Sequence, residues 1–158
     1  MTFRQDIKLK IEEFCIKHGV TDEKQIEYVL ATVEHETNNT FMPVKEAYWL
    51  SEGWRKRHLR YYPYFGRGYV QITWKKNYKK FSDLLGLDLV DNPDLALEPD
   101  VAIDILVIGM RDGLFTGKKL SDFSHNDGFD FVHARKIING MDKAIHVAVL
   151  AHNYDKIA

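Results

Sequence analysis

Cysteine is all but missing: Cys15 stands alone among 158 residues. A single thiol excludes an internal disulfide framework and fits a chain folded under reducing conditions; on the first helix it reads as a small buried hydrophobe. Repeats, low-complexity tracts and linkers are also lacking, so residues 1–158 read as one domain, of a size that buries a core without staples. Long apolar runs are lacking too. The longest, Ile105 to Met110, is far too short to cross a bilayer, so no membrane insertion is expected. Met1 to Lys10 is charged and carries no secretory apolar segment. The expectation is a protein made in the cytoplasm without a signal peptide and carried to its place of action by other means.

What is present is an ordinary globular composition, 45% hydrophobic and 28% charged, rich in aromatics (three Trp, eight Tyr, nine Phe). The net charge of −1 hides an asymmetry. Lys45 to Lys80 holds ten basic residues against Glu46 and Glu52, a local charge of +8 that leaves −9 for the rest. Such a segment suits an anionic ligand met locally, or simply a solvated lysine-rich helix face.

Apolar spacing predicts a mainly α fold. Ile7, Ile11, Phe14 and Cys15 mark a first helix stopped by Gly19. Thr21 is the expected N-cap of a second, whose stripe of Ile26, Val29, Leu30 and Val33 runs to about Thr37 before Asn38-Asn39 breaks it. Residues 38–72 are turn-rich, with one short helix capped by Ser51 and one candidate strand, Tyr69 to Ile72. Thr73 is the expected cap of a helix carrying Trp74, Tyr78, Phe81 and Leu85 and closed by Gly86. Pro99 opens a helix to Gly113 that is apolar nearly all round and is expected at the buried centre. Phe131–Ile138 and Lys143–Tyr154 complete the set.

Glu36 continues the spacing of Ile26, Val29 and Val33, whereas Glu34 falls with Glu27 on the expected wet side. A carboxyl on an apolar face suits a general acid, because desolvation favours its protonated form. A buried Glu paired with an Arg or a backbone donor fits the periodicity equally well. His35-Glu36 lacks the second histidine of HExxH, and the remaining histidines form no metal-ligand pattern. Gly66-Arg67-Gly68 lacks the further glycine and lysine of a phosphate loop. No metal, cofactor or nucleic acid is therefore expected.

The string Gly66-Arg67-Gly68-Tyr69-Val70-Gln71-Ile72-Thr73-Trp74-Lys75-Lys76-Asn77-Tyr78 resembles the GRG-x-x-Q-[LI]-[TS]-x-x-x-N-Y signature of glycoside hydrolase family 19, which holds plant-type chitinases and phage endolysins. His35-Glu36-Thr37 is similar to that family's HET motif, and Ile137-Ile138-Asn139-Gly140 to its IING motif, in family order. The resemblance implies a lysozyme-like, two-lobed helical domain with a substrate cleft and an inverting, metal-free reaction. It implies Glu36 as the acid, Glu46 as the base with Glu52 in reserve, and Thr73 as the hydroxyl that helps hold the attacking water. Gln71, Asn77, Tyr78 and Asn139 are the implied sugar-binding residues; Tyr48, for its ring face, and Arg67 are further candidates for the substrate site. Asn38-Asn39 departs from the glycines the family often has after HET.

Inverting hydrolysis needs a protonated carboxyl and an ionised one about 6.5–9.5 Å apart, with water between. The basic segment favours peptidoglycan, whose stem peptides carry carboxylates, over neutral chitin; the lack of disulfides and of a secretory segment favours the phage-like branch over the secreted, disulfide-bonded plant one. The expected partner is thus a glycan, bound by a monomer. The rival reading is a non-catalytic glycan-binding module of the same fold.

Overall fold

The computed structural model describes residues 2–157, and the chain divides into two compact units, Met1–Phe41 with Leu106–Ala158, and Met42–Ile105. The fold is mainly α, as expected; the strands among the described residues are only two residues long.

In the first unit, helix α1 (Phe3–Lys17) opens on a reciprocal cap between Thr2 and Gln5 and buries Ile7, Ile11 and Cys15. Helix α2 (Glu23–Glu36) is capped by Asp22 rather than Thr21: the Asp22 carboxylate accepts the Gln25 amide at 3.0 Å. The carboxylate takes the capping place one residue later than the hydroxyl would have. Every residue from Glu27 to Val33 is buried, because α2 is covered by α1, by the C-terminal helix α6 (Ala144–Ile157) and by the two-residue strand Gly128–Phe129. Glu27, expected on the wet side, is therefore 7% exposed. The Thr37 hydroxyl closes α2 by donating to the Val33 carbonyl at 2.7 Å and accepting the Phe41 amide at 3.0 Å. Asn38 and Asn39 follow with φ of 51° and 65°. Asparagine is among the few residues that visit this left-handed region readily. The two asparagines thus do the conformational work of the glycines they replace.

The expected helix over Phe131–Ile138 is instead a 3₁₀ turn, His133–Ile137. Phe129 and Phe131 lie against the Tyr28 ring, at 5.7 and 6.2 Å between centroids, so the chain is held on α2 before the turn starts. Asp130 then caps that turn, accepting the His133 amide at 3.0 Å.

In the second unit, β1 (Val44–Lys45) pairs antiparallel with β2 (Arg67–Gly68), Val44 opposite Gly68 and Lys45 opposite Arg67. Between them Ser51 caps the short helix α3 (Glu52–His58), as expected. The expected strand Tyr69–Ile72 does not form. Gln71 has φ 53°, which turns the chain so that Ile72 bridges back onto Arg67. Trp74, not Thr73, stands at the N-cap of α4 (Lys75–Leu85), with φ 71° and no side-chain cap bond; Gly86 at φ 67° closes that helix. Helix α5 (Pro99–Asp112) begins in this unit and ends in the other. Val101 to Ile103, Ile105 to Ile108 and Met110 are all buried, which matches its nearly continuous apolar sequence.

Candidate active site

Glu36 occupies the last turn of α2, and its carboxylate receives a hydrogen bond from Arg135 Nη1 at 2.9 Å. The Glu36 side chain is 22% exposed and that of Arg135 4%. Periodicity left open an isolated acid on an apolar face or one paired with a cation; the second is found, with the carboxyl half-exposed. Arg135 Nε also donates to the Asp142 carbonyl at 2.9 Å, and the Asn139 amide donates to the Arg135 carbonyl at 3.0 Å. One buried guanidinium therefore ties the Glu36 carboxylate to the turn that bears Asn139 and Gly140. Asn139 itself is exposed, its side-chain oxygen accepting the Gly140 amide at 2.8 Å. The sequence analysis missed Arg135. The signal was there: a charged residue two places before the apolar pair Ile137-Ile138 needs a partner if it is buried.

Glu46 follows β1 and is held by different means. Tyr61 donates its hydroxyl at 2.6 Å and Gly66 its backbone amide at 2.7 Å, one to each carboxylate oxygen. Burial and this hydrogen bond push the Tyr61 phenol up to about 12, so it stays a donor across the neutral range. Gly66 has no room for a side chain: a Cβ there would clash with the Gln71 amide and stand 3.2 Å from Glu46 Oε1. The glycine lets its amide approach the carboxylate.

Glu52, the reserve candidate, is surrounded by cations. Lys45 Nζ and two nitrogens of Arg55 lie 3.0 Å from its Oε1, and the Tyr62 hydroxyl donates to Oε2 at 2.8 Å. Burial alone would raise its pKa, but hydrogen bonds from Tyr62, Lys45 and Arg55 outweigh it and hold the carboxyl at about 2. Adjacent tyrosines thus serve different carboxylates, Tyr61 holding Glu46 and Tyr62 holding Glu52.

The implied sugar-binding residues separate into two groups. Tyr48 is 70% exposed and meets Trp49, 71% exposed, edge to face at 5.3 Å, so both rings offer faces to a ligand. Thr73 and Asn77 are half-buried and linked, the Asn77 amide donating to the Thr73 carbonyl at 2.8 Å. Gln71 spends its amide nitrogen on the Val44 and Gly68 carbonyls, at 2.7 and 3.2 Å, pinning the β1–β2 pair. Tyr78 and Arg67 are both buried, at 0% and 5% exposure. The Tyr78 hydroxyl donates to the Phe65 carbonyl and meets Arg67 Nη1. Arg67 also binds the Pro63 carbonyl at 2.9 Å and Asp94 at 2.9 Å, and stacks 3.8 Å over the Phe65 ring. The cost of burying a guanidinium is met by these partners, which leaves it no surface for sugar. Among the described residues no group of three His, Cys, Asp or Glu is placed to hold a metal ion.

Residues 45–108, which include Glu46, the Gly66–Tyr78 string and the start of α5, match the family model described as Chitinase class I. Over these residues the chain resembles glycoside hydrolase family 19. The family 19 match is supported by Chitinase 11 of Oryza sativa, 58% identical over 41 residues, which are 25% of this chain and 16% of that protein. An endochitinase of Arabidopsis thaliana is 33% identical over 106 residues, 63% of this chain and 36% of that protein. The chain thus spans a minor part of the length of these relatives. Chitinase C of Streptomyces griseus superposes with a TM-score of 0.63 at 23% identity, over 85% of this chain and 59% of that one. The chain therefore shares the fold of that chitinase.

Proposed function

We propose that the protein hydrolyses β-1,4-linked glycans built on N-acetylglucosamine, with inversion, Glu36 acting as acid and Glu46 as base. The observation that carries this reading is the contrast between the two carboxylates. Glu36 sits on a helix with one buried cationic partner, and Glu46 sits on a polar loop in bonds from a phenol and an amide. Two carboxyls in unlike surroundings are what acid and base roles require. In the first step Glu36 passes its proton to the leaving glycosidic oxygen while the bond to the anomeric carbon breaks. Glu46 takes a proton from the water that attacks the opposite face, and the Thr73 hydroxyl helps to hold that water. Tyr61 and the Gly66 amide fix the base in place. Glu52, already committed to Lys45, Arg55 and Tyr62, shapes the loop instead.

The relatives are named chitinases, which makes chitin oligosaccharides the first substrate to test. Peptidoglycan is the second reading, favoured by the exposed cations Lys56, Arg57, Arg60, Lys75 and Lys76. On that reading the protein works on the cell wall as a phage-type lysin released or delivered from the cell that makes it. The deciding experiment offers chitohexaose and purified peptidoglycan to wild type and to Glu36→Gln, with the product anomer followed by NMR. The α anomer from a β-linked chain, lost in Glu36→Gln, is expected. A β anomer as first product sinks the inverting mechanism. Binding of both glycans without hydrolysis returns the chain to a non-catalytic glycan-binding module.

A further inference from the structure

The first unit holds a pocket of about 480 Å³ between the end of α2 and the first turns of α6, and the reading above gives it no role. Its polar lining is Glu34, His35, Asn38, Asn39, Lys143 and His146. The His35 and His146 rings meet edge to face at 5.2 Å, bringing two imidazoles from different helices onto one wall. Asn38, Asn39 and Lys143 all have left-handed backbones, with φ of 51°, 65° and 62°. For a lysine that conformation costs of order 1 kcal/mol, and here it sets Lys143 immediately before α6. Four of these residues, Asn38, Asn39, Lys143 and His146, are exposed, so the pocket opens to solvent.

We propose that this pocket binds a carboxylate of the glycan's peptide substituent, as found on the stem peptides of peptidoglycan. The inference rests on the glycan-hydrolase reading and refines its substrate class. An ammonium, two imidazoles and two carboxamides supply donors from several directions, which a carboxylate with two acceptor oxygens can use at once. Glu34 is the one acidic lining group, and Tyr154 already donates to its Oε1 at 2.8 Å. Neutral chitin would bring no anion of its own to Lys143 and the two imidazoles. His35 also precedes Glu36 in the chain, so this recognition would lie one residue from the proposed acid.

Charge makes the site pH-dependent. Burial pushes the His35 imidazole below its ordinary value; Glu36 opposes that shift, and Arg135, His146 and Lys143 add to it. Near neutrality the charges of Lys143 and Glu34 offset one another. As the pH falls the His35 imidazole gains a proton and the pocket gains positive charge, so a carboxylate should bind more tightly in acid.

The test titrates the whole protein with a free stem tetrapeptide at constant ionic strength, following the imidazole NMR signals of His35 and His146. Saturable shifts of both are expected, with affinity about tenfold weaker at about pH 8 than at about pH 5. The same peptide with amidated carboxylates should give none. Lys143→Gln with His146→Gln should lower affinity at least about tenfold, and Glu34→Gln should raise it. If the double variant fails to fold, the exposed Lys143→Gln alone serves. Equal shifts from the amidated peptide or from acetate, or affinity unchanged in a folded variant, overturns the proposal. The hydrolase reading fails separately: a protein that binds the peptide yet cuts neither chitohexaose nor peptidoglycan keeps the pocket and loses the reaction. One that cuts peptidoglycan without any imidazole shift keeps the reaction and loses the pocket.

Discussion

Each of the two compact units presents one of the proposed reacting carboxylates, and they hold it by different physics. In the first, Glu36 ends a fourteen-residue helix whose other face is packed, and a buried guanidinium grips it. In the second, Glu46 rides on irregular backbone beside a two-residue strand, with an exposed aromatic pair just after it. There the carboxylate is fixed by a phenol and a backbone amide, neither of them charged. A helix can position a charge by rigidity and one strong partner; a loop must assemble its geometry from several weaker bonds. The helix-borne acid should therefore tolerate changes in its loops, and the loop-borne base should be sensitive to every residue that shapes the turn.

The largest effect expected is at Glu36. Glu36→Gln should lower kcat by about three orders of magnitude, in the range of a lost general acid, with the circular dichroism spectrum unchanged. A kcat within a factor of about ten of wild type places the acid elsewhere. Next comes Arg135→Met, which removes the one strong partner. It should lower the thermal midpoint by several degrees, and kcat by roughly tenfold, as for one lost charge-assisted bond. If kcat falls without any thermal shift, Arg135 acts on the reaction and not on the packing of the helix end. Tyr61→Phe is expected to be milder, a loss of several-fold up to about tenfold in kcat, because the Gly66 amide still holds Glu46. A larger loss there than in Arg135→Met would invert the comparison.

The smallest effect on rate, within about twofold as for a change outside the reacting groups, is expected for Glu52→Gln. Its signature lies in acid stability instead. The folded Glu52 is held at about 2 against an ordinary 4.5, so its contribution is complete above about pH 4.5 and lost as the pH falls toward 2. The variant should be less stable than wild type above that window, and the two should converge below it. Unfolding curves measured from neutral pH into acid check this, and parallel curves would mean that the cluster with Lys45 and Arg55 adds nothing. Since Glu52 is about half exposed, the difference should be modest.

Much of this was legible beforehand where a pattern is local. The 3.6-residue stripe on α2 put Glu36 near the end of a buried face, the apolar run after Pro99 is buried as α5, and Ser51 caps the helix it was expected to cap. What escaped was decided by partners distant in sequence. Arg135 lies 99 positions from Glu36, and no periodicity links them. Tyr61 and Tyr62 are indistinguishable in the sequence, yet the turn sends one to Glu46 and the other to Glu52. Thr21 and Thr73 looked like caps because threonine caps well; Asp22 and the reversed backbone at Gln71 and Trp74 overrode that preference. Glu27 was misjudged because one stripe of apolar residues suggests one buried face, whereas α2 is covered on several.

The buried Arg67 has a further consequence. Its guanidinium ties together Pro63, Phe65, Tyr78 and Asp94 without reaching any proposed reacting group. The glycines beside it serve close backbone approach at Gly66 and a left-handed turn at Gly68. Selection for folding alone would keep such a string in place after hydrolysis had been lost. The most recognisable stretch of the chain is therefore a marker of scaffold inheritance. A descendant that had traded cutting for carrying would still display Arg67 and its glycines, and the side chains at positions 36, 46 and 73 would betray the change.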